Sequence, residues 1–237
     1  MAGGIWNSLR NASDDKRSQL VRLLIIFLGT WAFLALAHEV RTEATQVLDE
    51  RVMLAVRRAD DPRVPVGPAW VQDTARDITA LGGYSVLILL VAMVAGFLHL
   101  HGKRGEARFL VVAAISGYLV GSGLKAFFVR PRPTVVPHLQ EAFQTSFPSG
   151  HSMMSAIIYL TLGALLTQFA GNLPRLRIYF LLCALLLTGV VGISRVYLGV
   201  HYPTDVLAGW TAGLVWANSC SLVAERLQRR GVIEEEI

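Results

Sequence analysis

The stretch SGHSMMSAIIYLTLGALLTQFA, residues 149–170, decides the fold. It runs 22 residues without Asp, Glu, Lys or Arg. A helix needs roughly 20 predominantly apolar residues to cross the hydrocarbon of a bilayer. Five further stretches are predominantly apolar, at about 20–37, 78–98, 109–129, 178–193 and 204–224, the last with Asp205 at its start. Arg22 stands at the edge of the first, where it can snorkel, and Lys125 near the far end of the third. The composition agrees. Of the 237 residues 53% are hydrophobic and 16% charged, against roughly 25% charged in a soluble domain. The reading is an all-α bundle of six transmembrane helices, forming one domain over residues 1–237.

Six spans put both termini on one side. The basic segments then fall together: Arg10, Lys16, Arg17 and Arg22 in the N-terminal arm, Lys103, Arg104 and Arg108, then Arg175 and Arg177, then Arg226, Arg229 and Arg230 in the tail. Cytoplasmic loops carry the excess of Lys and Arg, so this side is expected to be cytoplasmic, in a bacterial inner membrane. Segment 38–77 falls on the other side and holds six Arg against eight Asp and Glu. Within it Ala44, Val47, Leu48, Val52 and Ala55 recur at helical spacing, predicting a short amphipathic helix on the outer membrane surface. Asp61-Pro62 and residues 65–68 mark a loop after it.

Other classes are disfavoured. The net charge of +5 comes from cations at the edges of apolar runs, not from a basic, aromatic-interleaved stripe, so no nucleic-acid partner is expected. Cys183 and Cys220 both lie inside apolar runs and imply no disulfide framework. The first apolar run lacks a small-residue cleavage site and reads as a retained span. Trp31, Trp210 and Trp216 read as span packing and Trp70 as an interface anchor. His38, His99 and His101 lie near span ends and carry no assigned chemistry.

Three polar clusters interrupt the apolar pattern: Lys125 with Arg132-Pro133, Pro148-Ser149-Gly150-His151, and Ser194-Arg195 with His201 and Asp205. In the six-span layout all lie at the outer ends of spans three to six. Lys125, Arg132 and Arg195 supply positive charge, which phosphoryl transfer needs on the equatorial oxygens, and the guanidinium fork suits phosphate. Lys125 or Arg130 alone reads as a snorkelling cation; three cations beside two histidines do not. Ser149 is a good N-cap and Gly150 permits close backbone approach, at a helix start whose N–H groups favour anions. His151 then lies where a general acid would stand. His201 and Asp205 are four apart. The carboxylate either orients the imidazole for attack or only favours the helix start it occupies. A metal site of His151, His201, Asp205 and His138 is disfavoured, because a catalytic zinc usually takes a tighter histidine pair and three cations would repel it.

The clusters resemble the signature of the type 2 phosphatidic acid phosphatase superfamily: Lys-x6-Arg-Pro, Pro-Ser-Gly-His and Ser-Arg-x5-His-x3-Asp. All three are matched in order, over residues 125–205. The resemblance implies that His201 attacks phosphorus to form a phosphohistidine and that Asp205 orients His201. It implies that His151 protonates the leaving group and then activates water. Lys125, Arg132, Arg195, Ser149, Gly150 and Ser194 would hold phosphate oxygens, without metal or cofactor. The implied activity is hydrolysis of a lipid phosphate or pyrophosphate: phosphatidylglycerophosphate, phosphatidic acid or undecaprenyl pyrophosphate. Alternatives are a lipid A phosphatase or phosphotransferase, a glucose-6-phosphatase-like enzyme, and a non-enzymatic lipid-phosphate transporter or scaffold. The apolar spans speak against the soluble haloperoxidase branch. Segment 38–77 carries no part of the signature, and the sequence leaves oligomeric state open.

Overall fold

The computed structural model describes residues 2–142, 145–171 and 173–229, with backbone alone for residues 2–15, 228 and 229. Arg10 as a side chain, and Arg229, Arg230 and the acidic tail beyond them, therefore lie outside the described side chains. Among the described residues eight helices follow one another: α1 (Ala2–Arg41), α2 (Gln46–Ala55), α3 (Ala69–Ala80), α4 (Tyr84–Leu100), α5 (Arg104–Phe127), α6 (Gly150–Phe169), α7 (Pro174–Tyr197) and α8 (Pro203–Arg229).

Five of them are long and apolar enough to cross a membrane, and α3 with α4 makes a sixth, bent candidate. The predicted span 78–98 needs correction here. Residues 78–80 end α3, and the chain turns by 48° before α4 begins at Tyr84. Gly82 permits the turn. A Cβ there would stand 2.4 Å from Val191 Cγ1 and 3.4 Å from the Cβ of His151, so only glycine lets the bend press against α6 and α7. The Tyr159 hydroxyl fixes it by donating to Leu81 O at 2.7 Å. The other predicted spans fall within or within two residues of α1, α5, α6, α7 and α8.

Helix α6 is the axis of the bundle. Of its most apolar window 61% is buried, against 6% for α1, whose side chains mostly face outward. Leu87 and Val91 of α4, Leu110 of α5, Met153, Ile157 and Ile158 of α6 and Ala184 of α7 form the main core. Small residues let α8 lie close to α6. A Cβ on Gly209 would stand 2.6 Å from Ser149 O, and one on Gly213 would stand 2.6 Å from Met153 O. Apolar side chains on the outer surfaces of α1, α4 and α7, such as Phe27, Trp31, Ile88, Leu182 and Leu186, suit lipid rather than water.

Helix α2 occupies the predicted amphipathic segment. Val47, Leu48 and Val52 are exposed, while Asp49 and Met53 are buried. In water the apolar stripe would turn inward. Here it faces away from the protein, as a helix lying on a membrane surface requires, and a carboxylate faces in. Met53 joins Val136 and Tyr202 in a small cluster, and Ala75 of α3 joins Leu198 and Val200. Segment 42–80 thus packs over the ends of α7 and α8.

Candidate active site

Four helices alternate in direction and bring four termini to one end of the bundle: the end of α5 at Phe127, the start of α6 at Gly150, the end of α7 at Tyr197 and the start of α8 at Pro203. All three polar clusters gather there. His151 lies close enough to Arg195, His201, Lys125 and Arg132 for their charges to act on it.

His201 sits in the turn before α8 and is buried. Its Nδ1 is 3.4 Å from Asp205 Oδ2 and 3.4 Å from Ser146 Oγ. Its Nε2 is 3.3 Å from Arg132 Nη1. A guanidinium only donates, so Nε2 must accept, and the ring proton belongs on Nδ1, facing the carboxylate. The tautomer leaves the Nε2 lone pair directed toward the cations. Burial pushes the His201 pKa down to about 3; Asp205 opposes this through its hydrogen bond and charge, while the charges of Arg195 and Arg132 add to it. Neutral imidazole is the nucleophilic form.

Asp205 is fully enclosed. Oδ2 accepts from the Tyr202 amide at 2.9 Å and from the Ser146 hydroxyl, and Oδ1 accepts from Arg130 Nη1 at 2.6 Å. Its main-chain carbonyl accepts from the Ser149 amide at 3.0 Å, which ties α8 to the start of α6.

Ser149 caps α6 as expected: its Oγ accepts from the Ser152 amide at 3.4 Å and the Ser152 hydroxyl at 3.0 Å. Its own hydroxyl proton remains available to donate. Gly150 and His151 open the helix, and first-turn N–H groups have no intrahelical acceptor. Gly150 has a steric reason too. A Cβ would meet the Tyr84 hydroxyl at 2.9 Å and Lys125 Cε at 3.4 Å.

Lys125 Nζ donates to Thr145 O at 2.8 Å, and Thr145 Oγ1 returns a bond to Lys125 O at 3.0 Å. Arg132 Nη1 donates to Val200 O at 2.7 Å. Arg195 is buried, and its Nη1 donates to Thr79 Oγ1 at 3.0 Å and Gln140 Oε1 at 2.8 Å. Among the described residues the buried Arg195 Nε has no hydrogen-bond partner. A buried charged donor left so is costly, and an oxyanion in the site would satisfy it.

Ser194 departs from expectation. Its hydroxyl donates to Val191 O at 2.6 Å, back along its own helix. A phosphate oxygen needs a donor, and that proton is already engaged. Arg130 departs as well. Instead of snorkelling it bridges Asp205 and Asp49, with Nη2 2.9 Å from Asp49 Oδ2 and the guanidinium 4.1 Å over the Tyr202 ring. His138 turns to Pro133 O at 2.7 Å, away from the histidine pair.

Sequence reasoning missed Asp49, Ser146, Thr79, Gln140 and Tyr84. One signal existed for Asp49: in an amphipathic helix whose apolar stripe meets lipid, the polar face is the one that meets protein.

The chain is similar to known membrane phosphatases. The family model described as the PAP2 superfamily matches residues 106–229. Phosphatidylglycerophosphatase B of Bacillus subtilis is 32% identical over 183 residues, covering 77% of this chain and 86% of that one. The lipid A 1-phosphatase of Rhizobium etli is 35% identical over 176 residues, covering 63% and 71%. The crystal structure of a transmembrane PAP2-type phosphatidylglycerolphosphate phosphatase from Bacillus subtilis superposes with a TM-score of 0.78 at 29% identity, over 86% of this chain and 98% of that one.

Proposed function

The chain belongs to the PAP2 superfamily, an all-α integral membrane protein, and from that premise we propose that it hydrolyses a phosphate ester or pyrophosphate on a lipid head group. The observation that carries this reading is the His201–Asp205 pair with its attacking nitrogen turned toward Arg132, at the end of the bundle where α6 begins.

The chemistry runs in two displacements. His201 Nε2 gives its lone pair to phosphorus, and the bond from phosphorus to the leaving oxygen breaks. His151 donates a proton to that oxygen. The Nδ1 proton stays with the imidazole, held by Asp205, whose charge stabilises the cationic ring. Water then attacks the phosphohistidine, His151 takes its proton, the N–P bond breaks and inorganic phosphate leaves. Lys125, Arg132, Arg195, the Ser149 hydroxyl and the first-turn amides of α6 hold the equatorial oxygens. Ser194 is left out of this set, since its hydroxyl donates to Val191 O. No step calls on a metal.

Phosphatidylglycerophosphate is the favoured substrate, because a relative matched over 77% of this chain and 86% of its own is a phosphatidylglycerophosphatase. Lipid A is the second choice, supported by the Rhizobium relative. The site end faces the periplasm and both termini face the cytoplasm of an inner membrane. The basic loop of Lys103, Arg104 and Arg108, with Arg175 and Arg177, lies at the opposite end of the helices. The whole chain acts as one domain.

The test is phosphate release by purified protein from phosphatidylglycerophosphate, phosphatidic acid, undecaprenyl pyrophosphate, lipid A and glucose 6-phosphate. The reading expects the first to give the highest kcat/KM. Turnover of the sugar phosphate alone would refute a lipid substrate, and no release from any would leave a transporter or scaffold.

A further inference from the structure

We propose that Asp49, acting through Arg130, is a positioning residue for the His201–Asp205 pair, so that segment 42–80 completes the reaction centre; the inference rests on the phosphatase reading above. Asp49 comes from α2, far from every signature residue, yet its side chain is fully buried. Oδ1 accepts from the Thr204 amide at 3.0 Å, and Oδ2 accepts from the Thr204 hydroxyl at 2.6 Å and from Arg130 Nη2 at 2.9 Å. Arg130 turns its other terminal nitrogen to Asp205 Oδ1 at 2.6 Å and to Thr204 Oγ1 at 2.9 Å. One planar guanidinium thus spans two carboxylates, a geometry that a lysine cannot reproduce.

The arrangement does two things. It fixes Asp205 in rotation, because Oδ1 is held by Arg130 while Oδ2 is held by Ser146 and the Tyr202 amide. Oδ2 is the oxygen beside His201 Nδ1. It also sets the charge that His201 meets. Arg130 alone would neutralise Asp205 and weaken its hold on a cationic phosphoimidazole. Asp49 offsets Arg130, so the three groups together keep one negative charge next to the ring. Within a buried cluster such charges are poorly screened, and the balance matters.

Helix α2 also gains a reason for its inverted face. Val47, Leu48 and Val52 point outward while Asp49 points in, so seating α2 on the membrane and docking Asp49 on Arg130 are one event.

The experiment compares the full chain in detergent with Asp49→Asn, Arg130→Gln and the double variant. Asn keeps the size of Asp and its Oδ1 can still accept from the Thr204 amide, so the chain is expected to fold, with a lowered Tm because its Nδ2 cannot accept from Arg130. Asp49→Asn should lose roughly tenfold or more in kcat on phosphatidylglycerophosphate with KM within about twofold of wild type. Arg130→Gln should lose more, because two buried carboxylates then face each other. Adding Asp49→Asn to it should recover at least about threefold in kcat, a non-additivity that contact through Arg130 demands. An unchanged kcat in Asp49→Asn, a change in KM alone, or plain additivity would overturn the inference. Orthovanadate affinity, read by vanadium NMR, serves as the readout that needs no turnover. It should fall roughly tenfold in Asp49→Asn, since the oxyanion bonds to the same imidazole. If the wild type releases no phosphate from any lipid, the phosphatase reading fails, while an equal vanadate affinity in wild type and variant would sink the positioning role separately.

Discussion

The main-chain carbonyl of Asp205 accepts a hydrogen bond from the Ser149 amide at 3.0 Å. The first turn of α8 and the N-cap of α6 are therefore tied into one unit. Its stiffness rests on Gly209, whose absent side chain leaves room for Ser149 O.

Gly209→Ala should loosen that unit. The new Cβ would stand 2.6 Å from Ser149 O and 2.9 Å from Ser152 Cβ, so α6 and α8 must separate. Overpacking of this kind costs about 1–3 kcal/mol. A lower Tm in detergent together with a drop in kcat is the expected result, and near-wild-type values of both would contradict the close-packing account.

His201→Ala should reduce phosphate release by about 10⁴-fold or more while substrate still binds. Acid-labile, alkali-stable phosphate should be trapped on the wild-type chain and not on the variant. Trapping on another residue would remove His201 from the nucleophile's place.

The pH dependence follows from the buried imidazole. His201 is pushed down to about 3, so it stays neutral and able to attack through mild acid. The acid limb of kcat/KM set by this residue should lie well below pH 5. A limb near 6.5 that moves with substitutions around His201 would contradict the burial effect. Stability has a matching sign. Between about 3 and the ordinary value of roughly 6.5 the unfolded chain binds the proton and the folded one does not, so His201 makes the fold less stable as pH falls through that window.

Activity should survive dialysis against EDTA, since the proposed mechanism meets the charge on the phosphoryl group with Lys125, Arg132 and Arg195. Loss of phosphate release that zinc or magnesium restores would require a metal in the mechanism.

Topology can be read by labelling. With Cys183 and Cys220 replaced by Ala, a single cysteine at Asp60 should react with an impermeant thiol reagent from the periplasmic side of intact cells. One at Gly102 should react only after permeabilisation. The opposite pattern would invert the orientation.

The sequence by itself determined the helical, membrane-spanning character, because long uncharged stretches are a local property of the chain. It also put His151, His201, Asp205 and the three signature cations at the outer ends of the spans, where the structure gathers them, because each motif keeps its residues within a dozen positions of one another. It did not reveal the break at residues 81–83, since Leu81, Gly82 and Gly83 continue the apolar run and only contact with Val191 and His151 explains the bend. It misread Arg130, whose partners lie 81 residues before it and 75 after it. It offered no reason to place Ser146 beside Asp205 or Thr79 beside Arg195. Those contacts exist only once antiparallel helices bring distant ends to one depth. Hydropathy and motif spacing register what a residue is near along the chain, whereas the balance of buried charge around Asp205 depends on what packing brings to it across space.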